Sequence, residues 1–278
     1  MNQLPKAKRV QVVKALVEGN SIRATARMTG VARNTVSSLL VDLAGACWDY
    51  QNDALRGLNC RRVEADEIWS FCYAKEANVP ADHRGEFGYG DIWTWVAMDA
   101  DTKLVVSWLV GERDTPTAID FMQDVRERVA NRTQLTTDGL ACYLTAVEDA
   151  FGADVDYAQL VKVYSANPDN DRRYSPARFV TAEKRQVSGS PDAAKVSTSH
   201  IERQNLTMRM GMRRFTRLTN GFSKKAENLA AAVSLHYMHY NFARAHRSLA
   251  NPYPRTPAMA ARVADHVWTV EEIVGLLG

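Results

Sequence analysis

Residues 63–151 constrain the fold of this 278-residue chain most tightly, because their apolar positions change from strand-like to helical spacing and back in a fixed order. Three strand-like runs come first, Val63 to Tyr73, Asp91 to Asp99 and Leu104 to Val110, and the turn-prone Asp99-Ala100-Asp101-Thr102 between the last two predicts an antiparallel meander. A helix is expected from Thr115 to about Ala130, with Ile119, Phe121, Met122 and Val125 as its apolar positions. Gln134 to Thr137 then reads as a short strand, and Leu140 to Phe151 as a second helix. Consecutive strands followed by a helix–strand–helix alternation predict an α/β architecture, one sheet with helices packed on it.

The flanks read as mostly helical. Residues 7–19 carry Val10, Val12, Val13, Ala15, Leu16 and Val17 before Gly19-Asn20-Ser21 interrupts the pattern. Ser21 can cap a second helix, Ile22 to Thr29, and Gly30-Val31 separates it from a third, expected from Arg33 to about Leu43. Short helix, glycine turn and polar helix start form the pattern of a helix-turn-helix over residues 1–45, with Arg33, Asn34, Thr35 and Ser38 placed to face DNA. A three-helix packing module without a ligand is the plainer alternative. Residues 46–60 show no clear period and read as a linker. Residues 157–195 read as an insertion, with short strands near Leu160 to Tyr164 and Arg178 to Val180 around a polar loop, Asn167 to Asp171. Helices are expected at Thr198 to Arg217, Ser223 to Arg244, Pro257 to Ala264 and Val270 to Leu277, so residues 219–278 form a C-terminal helical region.

Three acids stand out on this frame: Asp66 within a strand-like run, Asp138 at the end of another, and Glu202 at a helix start. The strand and helix order is that of a ribonuclease-H-like (retroviral-integrase-like) fold, and these acids fall in the first strand, at the end of the fourth, and on a later helix. Each has a bland alternative. Glu67 rivals Asp66, since neighbours on a strand point to opposite faces. Asp138 can be a turn residue before Gly139, and Ser199-His200-Ile201-Glu202 has the spacing of a capping box. If the three converge, they form a cage for two divalent cations of the kind that drive phosphoryl transfer.

Charge supports a phosphate-bearing partner. The net charge is +3, yet residues 1–45 hold seven Lys or Arg against two acids, residues 64–157 seven against nineteen, and residues 195–225 eight against one. Basic segments bracketing clustered acids favour phosphate binding around a metal site over a merely solvated face. Four cysteines without a Cys-x-x-Cys pair suggest neither a zinc ribbon nor a disulfide framework, and a reducing, cytoplasmic setting fits them. No apolar run approaches the roughly 20 residues that span a bilayer, so no membrane association is expected.

Asp66-Glu67-Ile68-Trp69-Ser70-Phe71, Thr137-Asp138-Gly139, the run from His200 to Met210, the run from Arg213 to Asn220 and the run from Tyr240 to Leu249 together resemble the DDE transposases of the bacterial insertion-sequence-one family. The resemblance covers about residues 61–260, with residues 61–218 matching the catalytic domain. It implies a ribonuclease-H-like core, two Mg²⁺ or Mn²⁺ ions, cleavage of double-stranded DNA at transposon ends and strand transfer into target DNA. Asp66, Asp138 and Glu202 match the DDE triad, and Arg209 matches a basic residue two turns along the same helix. Founding members carry a zinc-finger segment where this chain has its helix-turn-helix. On a helix Glu202, Asn205 and Arg209 share a face, which is expected to meet DNA together with Arg213 and Arg214. Synapsis of two ends implies a homodimer or larger assembly, in a bacterial cytoplasm at the nucleoid. A transposase-derived regulator that needs no catalysis and a nuclease of the same fold are the alternatives.

Overall fold

The computed structural model describes residues 4–165, 178–216 and 221–278. Helices α1 (Lys6–Val17), α2 (Ile22–Thr29) and α3 (Arg33–Ala54) open the chain. The Ser21 hydroxyl accepts from the Ala24 N–H at the start of α2, and Gly30 closes α2 at φ 70°, a left-handed conformation that glycine adopts without steric cost. Val36, Leu39, Leu40, Leu43, Ala44 and Cys47 give α3 one continuous buried stripe, which carries it past Leu43. Residues 46–54 are therefore helix and not linker. Their period was obscured because Trp48 and Tyr50 lie beside the stripe, whereas the polar Gln51 lies in it, its amide donating to the carbonyls of Cys47 (3.0 Å) and Ser234 (3.3 Å).

Six strands form one mixed sheet in the order β3-β2-β1-β4-β5-β6. β1 (Arg62–Cys72), β2 (Gly90–Asp99) and β3 (Val105–Gly111) make the expected antiparallel meander. β4 (Thr133–Thr137) runs parallel to β1, and β5 (Val155–Ser165) parallel to β4. β6 (Arg178–Ser188) returns antiparallel along β5 and forms the outer edge. The stretch read as an insertion thus begins inside the sheet: residues 157–165 belong to the fifth strand, and residues 178–188 add a sixth. Residues 179–186 are all exposed. With neither face buried, β6 lacks the apolar alternation by which a strand is read. The polar loop expected at Asn167 to Asp171 lies outside the described residues.

Strand alternation divides the core between the two faces. Val63, Ala65, Trp95 and Ala97 point into a core shared with α3, α4 (Thr115–Arg128) and α5 (Cys142–Phe151). Ile68, Ile92, Val96 and Met98 point into a second core with α6 (Ser199–Gly211) and α7 (Ala226–Met238). α7 is locked to α3 where the Ser234 hydroxyl donates to the Ala44 carbonyl at 2.8 Å. Beyond α7 a π-helical turn, His239–Ala243, brings Asn241 to the amide and carbonyl of Val105 on β3. Short helices α8 (Pro257–Ala260) and α9 (Val270–Gly275) follow, and α9 returns to α1 through the Lys14–Glu271 ion pair at 2.8 Å. Among the described residues, no helix is long and apolar enough to cross a membrane.

Candidate metal centre

β1 and β4 pair from Arg62↔Gln134 to Glu64↔Thr136 and then part. Two residues further on, the same register places Asp66 and Asp138 side by side at the mouth of this split. Because the sheet is open there, Glu67 also reaches the gap from the opposite face of β1. One carboxylate oxygen from each of Asp66, Glu67 and Asp138 lies within 4.8 Å of the others. Neighbours on a strand were expected to exclude one another from a common site; the parting of the strands removes that restriction.

The three acids have different supports. Asp66 Oδ2 accepts from Asn205 Nδ2 at 2.8 Å. Asp138 Oδ1 accepts from the Leu140 N–H at 2.9 Å. Glu67 is buried and fully engaged: Oε1 accepts from Arg113 Nε and Nη2 at 2.9 and 2.6 Å, and Oε2 from the Tyr143 hydroxyl at 3.2 Å. Burial, and then the negative charges of Glu67, Asp138 and Glu202, push the Asp66 pKa up to about 7. Burial and the charge of Asp138 also raise Glu67, against the opposing pull of Arg113. Carboxylates crowded without a matching cation resist full ionisation, so this cluster is electrostatically short of positive charge.

Glu202 stands beside this group. Its Oε1 accepts from Lys162 Nζ of β5 and from the Thr198 hydroxyl, and the side chain is 42% exposed. It is not a capping glutamate. The N-cap of α6 is Thr198, so Glu202 is the fourth helical residue, one past the position a capping box needs, and its carboxylate takes the Thr198 hydroxyl and Lys162. β1 supplies the cap in its place: Glu64, 3% exposed, accepts from the His200 and Ile201 N–H groups at 2.8 and 3.0 Å. One β1 carboxylate thus fixes the start of α6, while the next on that face, Asp66, meets Asn205 a turn later. Replacing Glu64 by alanine strands two buried N–H donors at a helix start and is expected to cost about 2–4 kcal/mol, read as a lower urea midpoint with an unchanged slope.

The remaining sequence-predicted positions divide clearly. Arg33, Asn34, Thr35 and Ser38 are all exposed at the start of α3, opposite the buried Val36, Leu39 and Leu40. Asn205 was expected on a DNA-facing surface; it is 4% exposed and serves Asp66, because a buried amide beside a carboxylate gains more from that bond than from facing water. Arg209 is half-buried, Arg213 exposed, and Arg214 half-buried with its guanidinium donating to the Ser223 hydroxyl. Glu64, Arg113, Tyr143 and Lys162 escaped sequence reading, since each acquires its role only through a contact distant in the chain.

No family model and no curated protein matches the chain. Among solved structures, a cryo-EM structure of the piggyBac transposase synaptic complex with hairpin DNA is 12% identical, with a TM-score of 0.41, covering 98% of this chain and 69% of that one. The crystal structure of the Mos1 strand transfer complex is 11% identical, with a TM-score of 0.26, covering 86% of this chain and 79% of that one. Likenesses this weak carry neither fold nor function. The chain's own geometry bears the reading that follows.

Proposed function

We propose that this protein is a DNA transposase of the DDE kind, built on a ribonuclease-H-like core, that uses divalent metal to cut DNA at element ends and join them to target DNA. The observation that carries this reading is the convergence of Asp66, Glu67 and Asp138 where β1 and β4 separate, with Glu202 beside them on α6. The strand order β3-β2-β1-β4-β5, with a meander followed by parallel strands, supports the core assignment.

The donor set suits Mg²⁺ or Mn²⁺, because all its atoms are hard oxygens. Asn205 Oδ1 adds a buried acceptor with no hydrogen-bond partner among the described residues. Asp66 and Asp138, which each give only one oxygen to the contacts named above, would be the direct ligands. Glu67, both of whose oxygens are engaged, orients the pocket and adds charge. Glu202, now paired with Lys162, would complete the set. Two such ions, when bound, polarise the scissile phosphate and stabilise the attacking and departing oxygens. The protein's own work is to hold the acids in place through Asn205, Arg113 and the Glu64 cap, and to bring DNA to them.

The exposed face of Arg33, Asn34, Thr35 and Ser38 supports a helix-turn-helix over residues 1–45, the catalytic domain taking 61–218 and the C-terminal helices 219–278. α3 crosses the first of these boundaries without a break. Joining two ends calls for at least a dimer.

Incubating the protein with a duplex carrying the flanking genomic ends, a target plasmid and Mg²⁺ tests the proposal. Cleaved ends joined to the plasmid are expected, and Glu202→Gln is expected to lower joining at least 100-fold while binding is retained. Cutting without joining would mark a nuclease, and binding without cutting a regulator.

A further inference from the structure

A cleft of roughly 790 Å³ opens at the C-terminal end of α6, between the α1–α2 corner with the start of α3 and the segments at 211–214 and 221–228. Its walls carry five cations, Arg23, Arg33, Arg213, Arg214 and Lys224, and no described lining residue is acidic. The walls are held close together: a Cβ on Gly19, at φ 80°, would stand 2.7 Å from the Gly211 carbonyl oxygen. Neither wall alone supplies the site, since its cations come from positions almost 200 residues apart.

Arg214 provides a second, independent indication. Its guanidinium donates to the neutral Ser223 hydroxyl, burial pulls its pKa below the ordinary value, and no carboxylate stands near enough to oppose that pull. Buried cations ordinarily have an anionic partner. Among the described residues none stands beside Arg214, although acids are abundant elsewhere in the chain. Arg23, Arg33 and Lys224 are exposed and make no ion pair among the described residues.

We infer that this cleft is a binding track for the phosphodiester backbone of DNA, sequence-independent and separate from the metal centre. The choice of DNA over another polyanion rests on the function proposed above. Asn20, Ser21, Asn34 and Asn228 line the same cleft and can donate to phosphate oxygens. From Asn205 at the acids to Gly211 at the cleft is six residues of α6, about 9 Å, or two to three nucleotide rises of about 3.4 Å. A strand held in the cleft therefore ends its path within a few nucleotides of the acids. Arg33, at the head of α3, contacts backbone in this arrangement, and base reading falls to Thr35 and Ser38.

The test uses the full chain and a fluorescent duplex of arbitrary sequence in EDTA, titrated from 50 to 200 mM salt, with matched single-stranded DNA and RNA as further arms. The triple variant Arg23→Ala/Arg33→Ala/Lys224→Ala, all at exposed positions, is expected to lower the slope of log affinity against log salt by about 2.7, at about 0.9 per phosphate contact. Affinity for DNA is expected to fall roughly tenfold or more at 0.1 M salt. A control triple at the exposed Lys6, Lys195 and Arg247 is expected to leave the slope near wild type. Equal slopes for the cleft and control variants overturn the inference, as does an effect confined to RNA or to competition by inorganic phosphate. Because binding is read without metal, the two readings fail separately: an unchanged slope with intact Mg²⁺-dependent cutting removes the cleft alone, and a reduced slope without any cutting removes the enzyme alone.

Discussion

Asp66→Asn is expected to reduce Mg²⁺-dependent cutting and joining by about 10³-fold or more while leaving DNA affinity within about twofold of wild type. The substitution removes a charge and a ligand but almost no volume, and an asparagine oxygen can still accept from Asn205 Nδ2 as Asp66 Oδ2 does. Asp138→Asn is expected to match it, because both aspartates sit at the split between β1 and β4 with an oxygen to offer. Glu67→Gln is expected to cost less, about 10–100-fold, and to raise the Mg²⁺ concentration needed for half-maximal rate, as is usual for groups behind the ligands. The order of the three variants separates the roles. Should Glu67→Gln be the most damaging and Asp66→Asn retain near wild-type joining, the direct ligands would be Glu67 and Asp138.

The second large effect concerns stability. Asp66 has a pKa near 7 in the folded protein against 3.8 for the ordinary side chain, because burial and three neighbouring acids oppose its ionisation. The folded state therefore binds more protons than the unfolded one between pH 4 and 7, and stability falls as pH rises through that window. Glu67 is shifted in the same direction and adds to the slope. In EDTA, Asp66→Asn is expected to be indistinguishable from wild type near pH 4 and more stable by on the order of 2–4 kcal/mol at pH 8, some 5–12 °C in Tm. Mn²⁺ or Mg²⁺ at pH 8 is expected to raise the wild-type Tm and not that of the variant, since a ligand that binds only the folded state stabilises it. Thermal scans of both proteins at four pH values, with and without metal, test this. A wild-type protein that gains stability relative to the variant between pH 4 and 7 would falsify the crowded-carboxylate account.

Much of the fold was legible because apolar periodicity reports which face of an element is buried. β1, β2 and β3, with α4 and β4, fall within two residues of their expected bounds, since each has one strongly apolar face against a core. The failures share a cause. β6 buries neither face and so carries no alternation, and the second half of α3 mixes Gln51 with its apolar stripe. At the acids, local context singled out Asp66 and Asp138, but Glu67, which leaves β1 on the opposite face, was set aside although an open strand edge lets both faces reach one gap. Glu202 was weighed against a capping role that belongs to Glu64, a residue 136 positions from the His200 amide that its carboxylate accepts from. Contacts of that kind leave no trace in spacing; they exist only once β1 and α6 lie together.

The uninterrupted α3 fixes where the residues proposed to face DNA can stand. Twenty-two helical residues extend about 33 Å at 1.5 Å each, close to one full turn of B-form duplex at about ten base pairs. The middle of this rod is pinned to α7 where Ser234 bonds the Ala44 carbonyl, and its second half where Gln51 bonds the Ser234 carbonyl. A flexible tether at residues 46–54 would let the start of α3, proposed above to face DNA, sample many positions relative to the sheet. Because the rod is pinned, the residues proposed to face DNA keep one position beside the 211–214 segment, and an insertion of a single turn in α3 is expected to move Arg33 and Asn34 out of the cleft and weaken DNA binding.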